Sequence, residues 1–487
     1  MQASGNRGPR VRLIEGATPP LAVDMDGTVV LGDTLHESLL VLLRRNPLYL
    51  FVLPAWLLGG KARFKRELAR RAQPDPASLV YNVPFLDWLR GQRGRRELIL
   101  CTAADAGIAR RVAGHLDVFD TVLASDGERN LEGARKAALL VERCGERGFD
   151  YAANGAVDVA IWRHARRAIV VNASAATERA ARAVSEVEQV LPAAPAGAGA
   201  WLRALRLHQW IKNLLVFVPL LTAHLALDPQ AIGRCALAFL AFGLCASSVY
   251  LLNDLLDLPA DRAHPRKRAR PFAAGQLSLL AGLALAPVLL AAAFALAALA
   301  LPERFVLALA AYYLLTLSYS LALKRVEILD VVILAALYTA RIVAGAFALA
   351  IPLSFWLLAF SMFLFLSLAL VKRCTELEVM REHGRTGAAG RGYRTDDLPM
   401  LGALGAAAGY LSVLVLALYI NSAKSEALYR QPKFLWSLCP LLLYWIGRVW
   451  LLTQRGRMHD DPLLFAVRDP VSLAVLVLGL ATVLVAV

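Results

Sequence analysis

The sequence predicts two unlike domains in one chain: an α/β domain with a parallel, Rossmann-like sheet and a helical cap, then an all-α domain crossing a membrane about nine times. Three observations predict it. Charged residues are frequent as far as Glu188 and sparse beyond Trp201. From Leu21 to about Ser174, short apolar runs alternate with stretches of helical character, as in strand-helix-strand units. Beyond Trp201 the chain breaks into long apolar runs separated by short polar loops, which is the bilayer pattern. A chain of 487 residues that is 58% hydrophobic and only 19% charged is too long for one domain and too apolar for an ordinary soluble protein.

The opening segment, MQASGNRGPRVRLIEG, has no apolar core followed by a cleavage site, so the first domain (1–190) is expected to remain in the cytoplasm. Leu21-Ala-Val23, Leu98-Ile-Leu100 and Ala168-Ile-Val-Val171 read as parallel strands. Between the first two, residues 33–96 form a helical insertion, a cap, holding the apolar run Pro47 to Leu58. That run is too short and too broken by proline to span a bilayer. It is either a core helix of the cap or a surface resting on the membrane or on the second domain. Residues 191–200 are a flexible Pro/Ala/Gly linker, and 201–487 form the membrane domain.

Nine spans are centred near Val218, Gly243, Leu289, Ala311, Ala336, Met362, Ala408, Leu443 and Leu478, the first and last short. Lys and Arg concentrate in the loops after the even-numbered spans, including Arg385 and Arg391 after the sixth; these loops are expected on the cytoplasmic side of the cell's inner membrane. This distribution also accounts for the net charge of +15 through topology and contact with anionic membrane lipids, so nucleic acid is not an expected partner. The six cysteines lack metal-ligand spacing and are expected as free thiols.

The loop after the second span carries the chemistry. In Asn253-Asp254-Leu-Leu-Asp257-Leu-Pro-Ala-Asp261-Arg262 the acids fall at i, i+3 and i+7, so a helix continuing out of the span would present all three on one face. Carboxylates that close repel one another unless a cation neutralises them, and hard oxygen ligands with room for phosphate suit Mg²⁺. Lys267 and Arg270 follow and suit phosphate oxygens. Lys212, Lys324, Asp330 and Arg341 lie in or beside other loops on that side, as do Lys372, Arg373 and Glu376 and the group His459, Asp460, Asp461 and Asp469. Arg341 sits three turns inside the fifth span, with Asp330 or an anionic ligand as its expected partner.

The spacing Asn253-Asp254-x-x-Asp257-x-x-x-Asp261 is similar to the first Asp-rich motif of UbiA-type intramembrane prenyltransferases. The strings Leu207-His-Gln-Trp-Ile-Lys-Asn213, Asp261-Arg-Ala-His-Pro-Arg-Lys-Arg-Ala-Arg-Pro271, Tyr319-Ser-Leu-Ala-Leu-Lys324 and Gly456-Arg-Met-His-Asp-Asp-Pro462 look like the decaprenyl-phosphate phosphoribosyltransferase branch. The resemblance implies transfer of 5-phosphoribose from phosphoribosyl pyrophosphate to a polyprenyl phosphate. Mg²⁺ would bind Asp254, Asp257 and Asp261, and Asn253, Lys212, Lys267, Arg270, Lys324, Asp330, Arg341, Lys372 and Arg373 would contact substrate. Ordinary members instead move a prenyl group from a prenyl diphosphate to an aromatic ring, using a second Asp-rich loop after the sixth span. Here that loop reads Lys372-Arg-Cys-Thr-Glu-Leu377 and is basic, which suits a sugar phosphate better.

In the first domain, the strand Leu21-Ala-Val23 delivers Asp24 and Asp26 into a turn at Gly27, an arrangement suited to a carboxylate nucleophile with a second acid beside it. Thr102 follows a strand, Lys136 opens a helix, and Asn154-Gly-Ala-Val-Asp158 follows another strand. The set resembles the haloacid dehalogenase (HAD) superfamily of phosphatases and phosphotransferases. The resemblance implies that Asp24 forms an aspartyl-phosphate, Asp26 acts as acid and base, and Thr102 and Lys136 hold the phosphate. Asp24, Asp26 and Asp158 would bind Mg²⁺. Asn154 stands where an acid is common in that motif, which weakens the implied metal site.

Two phosphate-handling domains in one chain suggest successive steps: the membrane domain makes a lipid-linked ribose 5-phosphate and the first domain removes the 5-phosphate. The alternative is prenyl transfer to an aromatic acceptor beside a regulatory or degenerate first domain. A transporter fits less well, because the acids lie at a membrane edge and not on broken helices at the midplane. Lipid chain length and homo-oligomerisation are left open.

Overall fold

The computed structural model describes residues 18–126, 130–192, 197–384, 392–458 and 461–487. The opening segment, 193–196 of the expected linker, Arg385, Arg391, His459 and Asp460 lie outside the described residues.

Six strands, all parallel, form one sheet in the order β3-β2-β1-β4-β5-β6. They are β1 (Leu21–Val23), β2 (Leu98–Asp105), β3 (Thr121–Ser125), β4 (Asp150–Ala153), β5 (Arg167–Val171) and β6 (Glu186–Leu191). Their central members are buried along their length and therefore read as unbroken apolar runs, the mark of a sheet covered on both faces. β6, Glu-Val-Glu-Gln-Val-Leu, alternates charged and apolar residues because it is an edge, where inward and outward positions differ.

Helices connect the strands: α1 (Thr34–Arg45), α2 (Leu53–Leu58), α3 (Lys61–Arg71) and α4 (Val83–Arg90) between β1 and β2, then α5 (Ala106–Leu116), α6 (Ala134–Cys144), α7 (Val159–Trp162) and α8 (Ala175–Val184) in turn. The first four are the expected cap. Below the sheet Asp150, fully buried, accepts from Arg96 at 2.7 Å and from Arg166 at 2.7 and 2.9 Å.

The rest of the chain is helical: α9 (Ala198–Leu205), α10 (Val218–Thr222), α11 (Pro229–Leu256), α12 (Leu258–Ala263), α13 (Leu279–Ala300), α14 (Glu303–Leu321), α15 (Leu329–Ala348), α16 (Phe355–Glu382), α17 (Leu398–Ile420), α18 (Ala423–Leu428), α19 (Leu438–Gln454), α20 (Pro462–Ala466) and α21 (Pro470–Ala486). Among the described residues seven of these, α11, α13 to α17 and α19, are long and apolar enough to cross a membrane, where the sequence predicts nine spans. The difference lies at the two ends. Near Val218 the chain forms a 3-10 segment, Leu207–Phe217, and the five-residue α10, with Pro219 at its start. The 3-10 segment packs against α15 so tightly that a Cβ on Gly345 would lie 2.1 Å from the Val216 carbonyl. α21 has 17 residues, about 26 Å at 1.5 Å per residue, short of a hydrocarbon core of about 30 Å.

By contacts the chain divides into two units, Met1–Leu205 with Leu251–Leu285, and Arg206–Tyr250 with Ala286–Val487. The core of the first unit lies on both faces of the sheet and in a separate cluster within the cap. The core of the second is built from side chains of α11 and α13 to α17, with α19.

Replacing Asp150 by Ala leaves the Arg96 guanidinium buried without its carboxylate, and is expected to lower the stability of the first unit by about 3–5 kcal/mol. The measurement is the denaturant midpoint of the detergent-solubilised chain; a midpoint unchanged from wild type would refute the assignment.

Candidate functional site

The expected residues of the α/β domain meet in a cavity of about 240 Å³ lined by Asp24, Asp26, Thr34, Lys65, Thr102, Lys136 and Asp158, among others. It lies outside the carboxyl ends of β1, β2 and β4, where the strand order reverses. Side chains leaving neighbouring strands diverge there, and open α/β sheets place ligands in that crevice. Gly27 makes the turn after β1 with φ +77°, and a Cβ on it would lie 2.0 Å from the Asn154 amide, so only glycine brings the two loops this close.

Lys136 Nζ donates to Asp24 at 2.8 Å and to the Tyr151 hydroxyl at 3.0 Å, and lies 4.0 Å from Asp158. Tyr151 in turn donates to Asp158 at 2.9 Å, whose other oxygen accepts from the Gly155 amide. Asp26, half-buried, accepts from the Thr34 amide at 2.8 Å and from its hydroxyl at 3.3 Å. The Thr102 hydroxyl, buried, accepts from the Ala104 amide. Sequence reading missed Thr34, Tyr151 and Lys65. Thr34 stands directly after the Asp33 cap of α1 and was legible as a helix start; Tyr151 and Lys65 carry no local signal.

Burial, with the charges of Asp33 and Asp24 added, pushes the Asp26 carboxyl up to about 8 against the Thr34 hydrogen bonds. Burial and the Asp24 charge push Asp158 up to about 6, opposed by Lys136. Burial depresses Lys136, but the Asp24 and Asp158 charges prevail and raise it. Acids that raise one another in this way fit a divalent cation, which would reverse the local field. Among the described residues no three acid, histidine or cysteine side chains already converge on one metal-sized point. The Lys136 ammonium stands between Asp24 and Asp158 instead.

The second expected site departs from its prediction. α11 ends at Leu256, Asp257 forms the joint, and α12 begins at Leu258 with Pro259 in its first turn. Proline has no amide hydrogen and its ring crowds the carbonyl four residues back, so the helix does not run through all three acids. Asp254 and Asp261, both buried, are bridged by Arg270 at 3.1 and 2.6 Å. Asp257 lies 3.9 Å from Arg44 of α1. Buried carboxylates that share one guanidinium are hard oxygen ligands, and Asp254 and Asp261 fit a divalent metal on that ground. Lys267 is exposed and Asn253 half-buried in the same segment.

In the second unit Lys212 pairs with Asp461 at 2.5 Å and lies over the Tyr338 ring. Burial pushes Asp461 up, but Lys212, with Lys372 adding its charge, holds it below the ordinary range. Lys324 is half-buried in a 3-10 turn, Leu323–Arg325. The expected pairing of Arg341 with Asp330 is not found. Arg341, buried, donates to Asn213 at 2.9 Å, Tyr312 at 2.8 Å and the Leu337 carbonyl at 2.6 Å, with the Tyr312 ring beneath it. Asp330 pairs with Arg373 at 2.6 Å and accepts from Tyr393, and both ends of that pair are sealed from water. Arg373 also meets Glu376. The same Tyr393 hydroxyl accepts from the amide of Ile328, which is held at φ +61°.

Residues 214–469 match the UbiA prenyltransferase family. The chain is 39% identical over 458 residues to an uncharacterized protein, y4nM, of Sinorhizobium fredii, covering 93% of this chain and 88% of that one. It is 40% identical over 286 residues to the nodulation protein NoeC of Azorhizobium caulinodans, covering 58% and 92%. It is 39% identical over 191 residues to the decaprenyl-phosphate phosphoribosyltransferase of Mycolicibacterium smegmatis, covering 38% and 59%.

Because Asp26 and Asp158 bind protons more tightly folded than unfolded, their contribution to stability falls as pH rises from about 4 toward 8. Mg²⁺ competes with those protons. It is therefore expected to raise the thermal midpoint more at pH 8 than at pH 5, and the difference should shrink in Asp158→Asn. Equal shifts at the two pH values would contradict the cation site.

Proposed function

The chain belongs to the UbiA prenyltransferase family, and on that premise we propose that it transfers 5-phosphoribose from phosphoribosyl pyrophosphate to a polyprenyl phosphate, and that its HAD-like α/β domain then removes the 5-phosphate. Both sites face the cytoplasm in this reading. The observation that carries the choice of a sugar donor is the basic stretch Lys372-Arg-Cys-Thr-Glu-Leu377 within α16. Where ordinary members of the family are expected to hold a second diphosphate through acids, Arg373 is taken up by its pair with Asp330, and Lys372 is the cation that remains, close enough to lower the Asp461 carboxyl. The relative from Mycolicibacterium smegmatis, named for this activity, supports the same choice.

In the transfer, a phosphate oxygen of the lipid attacks the anomeric carbon of the ribose, the bond from that carbon to pyrophosphate oxygen breaks, and pyrophosphate leaves. The acceptor oxygen is already an anion, so no base is required. Arg270, between Asp254 and Asp261, is placed to give a guanidinium edge to a departing phosphate oxygen while keeping a carboxylate partner. Asp254 and Asp261 would hold Mg²⁺, which would supply further positive charge for that leaving group. Lys212 and Lys324 are candidates for the lipid phosphate; Arg341, donating to Asn213, positions the 3-10 segment that carries Lys212, and Asp330 ties α15 to α16 through Arg373.

In the second step Asp24 attacks the 5-phosphate, the bond from phosphorus to the sugar oxygen breaks, and Asp26, whose proton affinity burial raises, gives that departing oxygen a proton to form the hydroxyl. Asp26 then takes a proton from the water that hydrolyses the aspartyl-phosphate. Lys136 and Thr102 hold phosphate oxygens, with Mg²⁺ at Asp24, Asp26 and Asp158 as the expected cofactor.

The family's own description, a prenyltransferase, makes prenyl transfer the second reading, with an aromatic ring as the acceptor to be tested. Proteoliposomes given labelled phosphoribosyl pyrophosphate and polyprenyl phosphate, or labelled prenyl diphosphate and an aromatic acid, separate the two. Label should enter lipid only from the sugar donor. Asp254→Ala should lower that incorporation at least about a hundredfold, as loss of a charge-stabilising group does. Asp24→Asn should leave incorporation intact and abolish release of inorganic phosphate. Prenylated aromatic product with no labelled sugar lipid would overturn the first step; phosphate release by Asp24→Asn at the wild-type rate would overturn the second.

A further inference from the structure

From Pro47 to Gly60 the cap carries no charged residue. The run forms a 3-10 turn, Pro47–Phe51, and the short helix α2. Its two faces differ sharply. Leu53 and Trp56 point inward and join a cluster with Leu42, Phe64 and Leu68. The outer face leaves Leu48 67%, Leu50 59%, Phe51 80%, Leu57 54% and Leu58 90% exposed. Contiguous apolar surface of that kind marks a place where something other than water lies against the protein.

Two features identify what covers it. Leu256 packs against the inner cluster, and Leu256 is the last residue of α11, a helix long and apolar enough to span a bilayer. The patch is thus fixed, within one unit, beside the point where a span ends. The patch is also flanked by exposed cations, Arg44 and Arg45 before it and Arg63, Arg66 and Arg70 after it. Apolar side chains with a rim of Arg are the composition of a segment lying in the headgroup region of an anionic bilayer. α2, at six residues, spans about 9 Å and is too short to cross.

We propose that the Pro47–Leu58 segment of the cap is a monotopic membrane contact, with Leu50, Phe51 and Leu58 inserted among the headgroups of an anionic bilayer. It would hold the mouth of the α/β cavity at the lipid surface, where a phosphorylated lipid headgroup is within reach. The contact does not depend on which substrates the two sites take, only on the chain spanning a membrane.

The test uses the full chain in nanodiscs. A benzophenone amino acid at position 51 or 58 should crosslink to lipid on irradiation. Hydrogen exchange of residues 48–58 should be slower, by roughly tenfold, in discs containing phosphatidylglycerol than in discs of phosphatidylcholine alone. Arg66→Glu with Arg70→Glu should remove that lipid dependence while exchange in the buried part of α1 stays as in wild type, which shows that the cap remains folded. Crosslinking to a second copy or to another part of the same chain, or exchange indifferent to lipid charge, would overturn the proposal. Both readouts are independent of catalysis, so they stand apart from the assay of the two reactions.

Discussion

Arg262, one residue beyond Asp261, makes four contacts that tie the first unit together. It donates to both oxygens of Glu37 at 2.7 and 3.1 Å, to the Ser78 carbonyl at 2.9 Å and to the Ala273 carbonyl at 3.3 Å. Glu37 is buried on α1, three residues after the Thr34 that holds Asp26. One guanidinium therefore fixes both the loop that follows α11 and the helix whose first turn positions the proposed acid of the cavity. Its bidentate geometry and backbone acceptors make this a directional constraint as well as an electrostatic one. The Trp201 ring against Phe272 and Arg203 donating to Gln276 add further ties to the same loop.

Within that frame the two acid clusters solve the same problem differently. Around Asp24 the acids are kept apart by a lysine and a tyrosine, and two of them retain raised proton affinities, so the cluster can change protonation state. Asp254 and Asp261 are held by an arginine, whose charge is permanent, so that cluster can exchange partners but not its cation's proton. The first arrangement suits acid and base chemistry; the second suits the handling of a polyanionic leaving group.

The buried arginines of the second unit are met by protein groups. Arg341 has no carboxylate beside it in the hydrogen bonds it makes; an amide, a phenol, a carbonyl and an aromatic face share its charge. Arg373 and Asp330 neutralise each other between α15 and α16. An intramembrane charge marks a constraint, and the neighbours across helices decide whether that constraint is a substrate path or a joint.

Much of the α/β cavity was legible because its residues are tied to strand ends: Asp24 and Asp26 after β1, Thr102 in β2 and Asp158 after β4 follow the periodicity of the sheet, which local apolar runs reveal. Tyr151 was not legible, since its role as a bridge exists only once β4 lies beside β1. The order and residue types of the loop acids were legible, while the tertiary fold decided that Asp254 and Asp261 meet on Arg270. Hydropathy marked the membrane segments, yet the close approach of Val216 to Gly345 turned the first of them into a 3-10 segment. By itself, then, the sequence determined the two domain classes, strands β1, β2 and β5, most of the spans and the residue types of both acid clusters, because these depend on local period and composition. Only the tertiary structure decided which charge meets which, since a pairing such as Arg262 with Glu37 joins residues 225 positions apart and no local pattern encodes it.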